Sequence, residues 1–85
     1  MNSGYSWSIE GSANRTLTGL TKRRRRLVER GIEALALHPF KQSIHSELSL
    51  EGLRLEIAEC AGFFVTYHVD HAARNVRIVE IHTIQ

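Results

Sequence analysis

Residues 53–84 read LRLEIAECAGFFVTYHVDHAARNVRIVEIHTI. Three runs of alternating character lie within them. Leu53, Leu55 and Ile57 alternate with Arg54 and Glu56. Phe63, Val65, Tyr67 and Val69 alternate with Phe64, Thr66 and His68. Val76, Ile78 and Glu80 alternate with Arg77, Val79 and Ile81. A period of two in β-branched and aromatic residues predicts strands with two unlike faces. Ala61-Gly62 and residues 70–75 carry the residue types of turns. The three runs therefore predict an antiparallel meander, with the rest of the chain as its cover.

Asp70 opposite Asn75 would set the register of the last two strands. Val69 then faces Val76, Tyr67 faces Ile78 and Val65 faces Glu80. This more apolar face is expected under helices, with Tyr67 packed there. The other face would present Phe64, Thr66, His68, Arg77, Val79 and Ile81, with His68 and Arg77 as cross-strand neighbours. By parity His82 falls on the opposite side from them. A mixed, open face of an antiparallel sheet is a place for a ligand or partner.

Upstream, Tyr5, Trp7 and Ile9 alternate with Ser6, Ser8 and Glu10, a short first strand that ends at Gly11. Ser12 suits a helix N-cap, and Ala13, Leu17 and Leu20 give one apolar helical stripe. Thr21 suits a second cap. Leu27, Val28, Ile32, Leu35 and Ala36 form the buried stripe of the next helix, and Pro39 stops it. The two helices predict a hairpin with a short connection. Residues 40–52 show no period; they read as a loop from helix to sheet, anchored by Leu48, Leu50 and Leu53.

Eighty-five residues with 42% hydrophobic content make one small unit, residues 1–85, with a modest core. No apolar run is long enough to span a membrane, and Met1 to Tyr5 lack the basic flank and apolar core of a secretory leader. A cytoplasmic protein is the expectation. Cys60, the single cysteine, forms no internal disulfide and reads as a small buried filler. His38, His45 and His71 show no metal-ligand spacing, so neither metal nor cofactor is expected. No nucleophile elbow or phosphate-cradling glycine loop is present.

The net charge of +2 conceals an asymmetry. Residues 1–37 carry seven basic side chains against three acidic; residues 38–85 carry four against six. Lys22, Arg23, Arg24, Arg25 and Arg26 are consecutive. Five successive helical residues turn through more than a full circle, so they cannot share one face. They also oppose the macrodipole at the start of a helix. Such a cluster suits an acidic partner, nucleic acid or protein, and reads equally as a solvated basic turn.

The order of strand, two helices, loop and meander resembles the RelE/ParE superfamily of toxins from type II toxin–antitoxin systems. Ala34-Leu35-Ala36-Leu37-His38-Pro39 is similar to the family's helix ending in leucine and proline. Leu48 to Leu53 is similar to its leucine–glycine loop. Gly62-Phe63-Phe64-Val65-Thr66-Tyr67-His68-Val69-Asp70 is similar to its central strand, and residues 76–82 to its last. The resemblance runs from Tyr5 to Thr83. It implies a toxin neutralised by a cognate antitoxin. Three activities are implied as alternatives: a ribosome-dependent messenger RNA endonuclease with an atypical site, a non-enzymatic ParE-like inhibitor of DNA gyrase, or a degenerate member that keeps only antitoxin binding. The cutting branch uses basic residues on the middle strands and an arginine after the last. Here Phe64 stands at the usual arginine, Arg54 has Glu56 and Glu59 as neighbours, and His82 is followed by Thr83, Ile84 and Gln85. The candidate catalytic set is therefore Arg54, His68, Arg77 and His82, with residues 22–26 as the surface for RNA or antitoxin. Ribosome, messenger RNA or gyrase would be the cellular partner.

Overall fold

The structure is a computed structural model and describes residues 4–84; the extreme ends of the expected unit lie outside them. The elements run β1 (Ser6–Ile9), α1 (Gly11–Thr18), α2 (Lys22–Leu37), β2 (His45–Leu48), β3 (Arg54–Cys60), β4 (Phe63–Asp70) and β5 (Asn75–Thr83). The fold is α+β, with one five-stranded sheet in the order β1-β5-β4-β3-β2. The meander β3-β4-β5 is antiparallel as expected. The sheet is larger than a strand plus a meander, and it is mixed. β1 lies parallel to β5, and β2 adds an antiparallel edge to β3.

β2 falls in the stretch that reads as a loop. Its four residues are all exposed, so His45, Ser46, Glu47 and Leu48 lack the inside–outside alternation that marks a strand. Backbone pairing with β3 makes the strand, and its sequence carries little trace of that. Nor do the leucines nearby anchor a loop: Leu48 and Leu50 are among the most exposed apolar side chains, and Leu53 is also exposed.

The turns obey local chemistry. Ala61 and Gly62 join β3 to β4 with φ of 53° and 86°. Two positive φ values give the primed hairpin turn that matches strand twist, which Gly62 adopts without steric cost. After β4, Asp70 Oδ1 accepts from the Ala73 amide at 3.0 Å and closes the turn into β5.

The register of β4 against β5 holds from Asp70–Asn75 through Val69–Val76 and His68–Arg77 to Tyr67–Ile78. It then slips. Thr66 faces Glu80 and Val65 faces Ile81, so Val79 is an extra residue in β5. This bulge inverts the parity of β5 from Glu80 onward. Ile81, expected on the open face, is buried beside Val65, and Glu80, expected inside, is exposed. The gain is physical: a carboxylate leaves the core and an isoleucine enters it. His82 consequently pairs with Phe64 and joins the open face.

The helices cover the other side. Ala13 and Leu17 of α1 and Val28, Ile32, Leu35 and Ala36 of α2 pack on Ala58, Cys60, Phe63, Val65, Tyr67, Val76, Ile78 and Ile81. Gly31 marks the closest approach of α2 to β3: a Cβ there would lie 2.8 Å from Cys60 Cβ. Burial raises the Cys60 thiol pKa, with the Glu59 charge adding to it. Thr21 caps α2 as expected, its hydroxyl accepting from the Arg24 amide at 3.3 Å. α1 begins earlier than Ser12 would set it, with Glu10 at its cap position and no side-chain bond. Leu27, expected in the buried stripe, is 46% exposed. It lies about 100° around the helix from Val28, toward the edge of the buried arc.

Tyr67 is fully buried, and its hydroxyl donates to the Pro39 carbonyl. That bond ties the end of α2 to the centre of the sheet. Burial, with the nearby Glu56 charge, pushes the phenol up to about 12.

Candidate functional site

Two surfaces carry chemistry: the sheet face without helices and the outer face of α2. On the sheet face, His68 and Arg77 are direct neighbours across β4 and β5. His68 Nδ1 lies 3.1 Å from the Arg54 carbonyl. A carbonyl only accepts, so Nδ1 carries the proton and Nε2 of the neutral ring keeps a lone pair. Arg77 Nε lies 3.1 Å from Glu10 Oε2 at the end of β1, an ion pair without hydrogen-bond alignment. His82 Nε2 lies 3.1 Å from Glu80 Oε2, two residues away on the same strand.

Arg54 belongs elsewhere. It shares parity with Glu56 and Ala58, and Ala58 is in the core. Its Nε donates to Glu56 Oε2 at 2.9 Å. Glu56 is buried under residues 43–46, where its Oε1 also accepts from Ser43 and Ser46 at 2.6 Å each. Burial alone would raise the Glu56 pKa; the bonds from Ser43, Ser46 and Arg54 more than offset it and hold the carboxyl below the usual 4.5.

The four residues therefore do not converge. His68–Arg77 and Phe64–His82 are separated by four residues of β4, about 13 Å along a strand. Arg54 is on the other face. Each guanidinium has a carboxylate partner, and His82 has one too. The open face as a whole is acidic: Glu10, Glu47, Glu51, Glu59 and Glu80 are set against Arg77. The sequence gives no sign that Glu80 lies here, because the bulge decides its face. It gives none for His45 and Glu47, because β2 leaves no pattern.

Two shallow depressions lie on this face. One, of about 570 Å³, is lined by Glu10, Arg77, Val79 and Leu55 together with the turn after β2. The other, of about 480 Å³, has Ile57, Phe64 and Thr66 on its floor and His45, Glu47, Glu80 and His82 at its sides. Among the described residues, no group of three His, Cys, Asp or Glu side chains could hold a metal ion. Nor, among the described residues, is any helix long and apolar enough to cross a membrane.

The basic cluster splits as helical geometry requires. Arg24 turns toward the sheet, with its guanidinium 5.8 Å from the Phe63 ring centroid. Lys22, Arg23 and Arg26 gather with Arg30 around exposed Leu27 in a shallow depression. These positions recur at i, i+4 and i+8, or one turn apart, on the outer side of α2. The cations are thus concentrated on the helix layer and the carboxylates on the sheet.

No protein-family model and no curated protein matches this chain. Solved structures share its fold. A chain of the toxin–antitoxin complex RelBE2 from Mycobacterium tuberculosis superposes with a TM-score of 0.77 at 18% identity, covering 95% of this chain and 99% of that one. A chain of the archaeal RelE–RelB complex from Pyrococcus horikoshii OT3 superposes with a TM-score of 0.73 at 20% identity, covering 98% and 96%. The chain therefore has a RelE-like fold, the architecture the sequence resemblance implies.

Proposed function

We propose that this chain is the toxin component of a type II toxin–antitoxin system, acting in the cytoplasm and neutralised by a cognate antitoxin. The observation that carries the reading is the near full-length match of fold to chains from two toxin–antitoxin complexes. The outer face of α2 supports it with a surface for acidic residues of the antitoxin: three cations and Arg30 around one exposed leucine. Opposite charge of this kind speeds encounter and makes affinity depend on salt.

The site geometry favours action by binding over cleavage of RNA. A phosphorane is stabilised by positive charge held in advance at the reacting phosphate. On the sheet face Arg77 is paired with Glu10, His82 with Glu80, and Arg54 is absent. Five carboxylates there would repel a phosphate backbone. A protein target of the gyrase type fits such a surface better than messenger RNA.

Inducible expression in a bacterium tests this, with wild type beside Arg54→Ala/Arg77→Ala and with messenger RNA ends mapped. The expected result is growth arrest, reversed by the antitoxin, without new ends. New ends inside translated codons that vanish in the double variant would establish the ribonuclease instead. No arrest from soluble, folded protein would refute toxic activity. Arg23→Glu/Arg26→Glu should weaken the antitoxin complex and flatten its salt dependence; unchanged affinity and salt slope would remove α2 from that interface.

A further inference from the structure

The depression over Ile57, Phe64 and Thr66 has no part in the α2 contact or in the candidate catalytic set beyond His82. Its construction is regular. One rank of paired residues crosses the sheet as His45, Ile57, Thr66 and Glu80, and the next as Glu59, Phe64 and His82. Ile57, Thr66 and Phe64 fall in the middle strands β3 and β4, with His45, Glu80 and His82 on the flanking strands and Glu59 on β3 itself. His45 Nε2 lies 3.8 Å from Glu47 Oε2 on one flank, and His82 Nε2 lies 3.1 Å from Glu80 Oε2 on the other. Among the described residues, neither lysine nor arginine lines the groove. From β2 to β5 there are three inter-strand spacings, about 14 Å, and a helix with its side chains is about 10–12 Å across. One polypeptide segment fits.

We infer that this groove docks a basic segment of the antitoxin, with aliphatic or aromatic anchors on Ile57, Phe64 and Thr66 and lysines or arginines against Glu47, Glu59 and Glu80. This rests on the antitoxin reading and adds the chemistry of a second contact, opposite in sign to the one on α2. The antitoxin would then present acidic residues to one layer and basic residues to the other. RNA is disfavoured, because the groove offers its phosphates carboxylates and no cation. A second copy could offer Leu27 among Arg23, Arg26 and Arg30. That contact is head to tail, however, and does not close into a defined dimer.

The test uses the full chain, labelled for amide NMR, and a soluble probe peptide of alternating lysine and leucine or phenylalanine, beside its glutamate counterpart. The lysine peptide should shift the amides of Ile57, Phe64 and Thr66, and the glutamate peptide should not. Glu47→Lys/Glu80→Lys should weaken the peptide, and the antitoxin complex with it, at least tenfold. Lysine-peptide binding that leaves the groove amides unmoved, or affinity unchanged in the double variant, would overturn the inference. So would groove shifts caused by polyuridine, or self-association of wild type that the double variant abolishes. If wild type binds no antitoxin at all, the toxin–antitoxin reading fails; if it binds antitoxin and Glu47→Lys/Glu80→Lys binds equally well, only the groove assignment fails.

Discussion

Glu56 should be a structural carboxylate, and its removal should be felt in stability more than in any chemistry. It is 2% exposed and accepts three side-chain bonds, from Ser43, Ser46 and Arg54. Bonds to a charged acceptor contribute about 1.5–3 kcal/mol each when buried. The share of Arg54 is smaller, because its side chain is 69% exposed and such pairs contribute about 1 kcal/mol or less. Ser43 and Ser46 sit at the margin, where water can replace part of what is lost. Glu56→Ala should therefore cost about 2–4 kcal/mol, lowering Tm by about 8–30 °C in a chain of this size. Glu56→Gln keeps one acceptor oxygen but turns an amide toward Arg54, and should cost about 1–2 kcal/mol. The pH dependence gives a second readout. The folded carboxyl has a pKa below its ordinary 4.5, so the folded state binds the proton less readily than the unfolded chain. Its contribution is complete above 4.5 and fades as pH falls through the lowered folded value. Urea unfolding monitored by circular dichroism between pH 7 and pH 3 measures both effects. Wild type should lose its advantage over Glu56→Gln as acid is added. A cost under about 0.5 kcal/mol for Glu56→Gln at pH 7, or parallel pH profiles for the two proteins, would refute the reasoning.

Tyr67→Phe keeps the ring in the core but leaves the buried Pro39 carbonyl without its donor, so denaturant unfolding should show a loss of about 1–3 kcal/mol. In wild type the phenol is pushed up to about 12; its contribution should be complete below the ordinary value of 10 and be lost as pH rises from there through 12, which the tyrosinate absorbance of wild type minus Tyr67→Phe would report. Gly31→Ala should gain up to about 1 kcal/mol of helix propensity but force a methyl to 2.8 Å from Cys60 Cβ; overpacking costs about 1–3 kcal/mol, so the net change is destabilising, and a gain in Tm would show that α2 rides higher on β3 than that contact allows.

Local sequence is enough for the elements whose residues alternate between two environments. β3, β4 and β5 each have one face against the helices and one open, so burial writes a period of two into them, and the turn residues between them state where the chain reverses. α2 is legible from its buried stripe and from Thr21, because a side chain that caps its own helix acts locally. The His68–Arg77 pairing comes from counting outward from the turn at Asp70 and Asn75.

Everything that depends on partners distant in sequence had to wait for the packed chain. β2 is a strand because its backbone finds β3, and backbone hydrogen bonds are blind to side-chain identity. β1 joins β5 in parallel from the opposite end of the chain, which no local pattern encodes. The bulge at Val79 arises because the sheet must place Ile81 inside and Glu80 outside, a choice made by the energy of burial in three dimensions. That one extra residue moves His82 onto the open face and adds Glu80 to the carboxylates already there. The same holds for Arg54. Its residue type suggests a phosphate ligand, but parity turns it to the other face, where Glu56 holds it. Candidate residues can be read from the cations in a sequence; whether they converge is set by strand parity and ion pairing, which only the packed sheet settles.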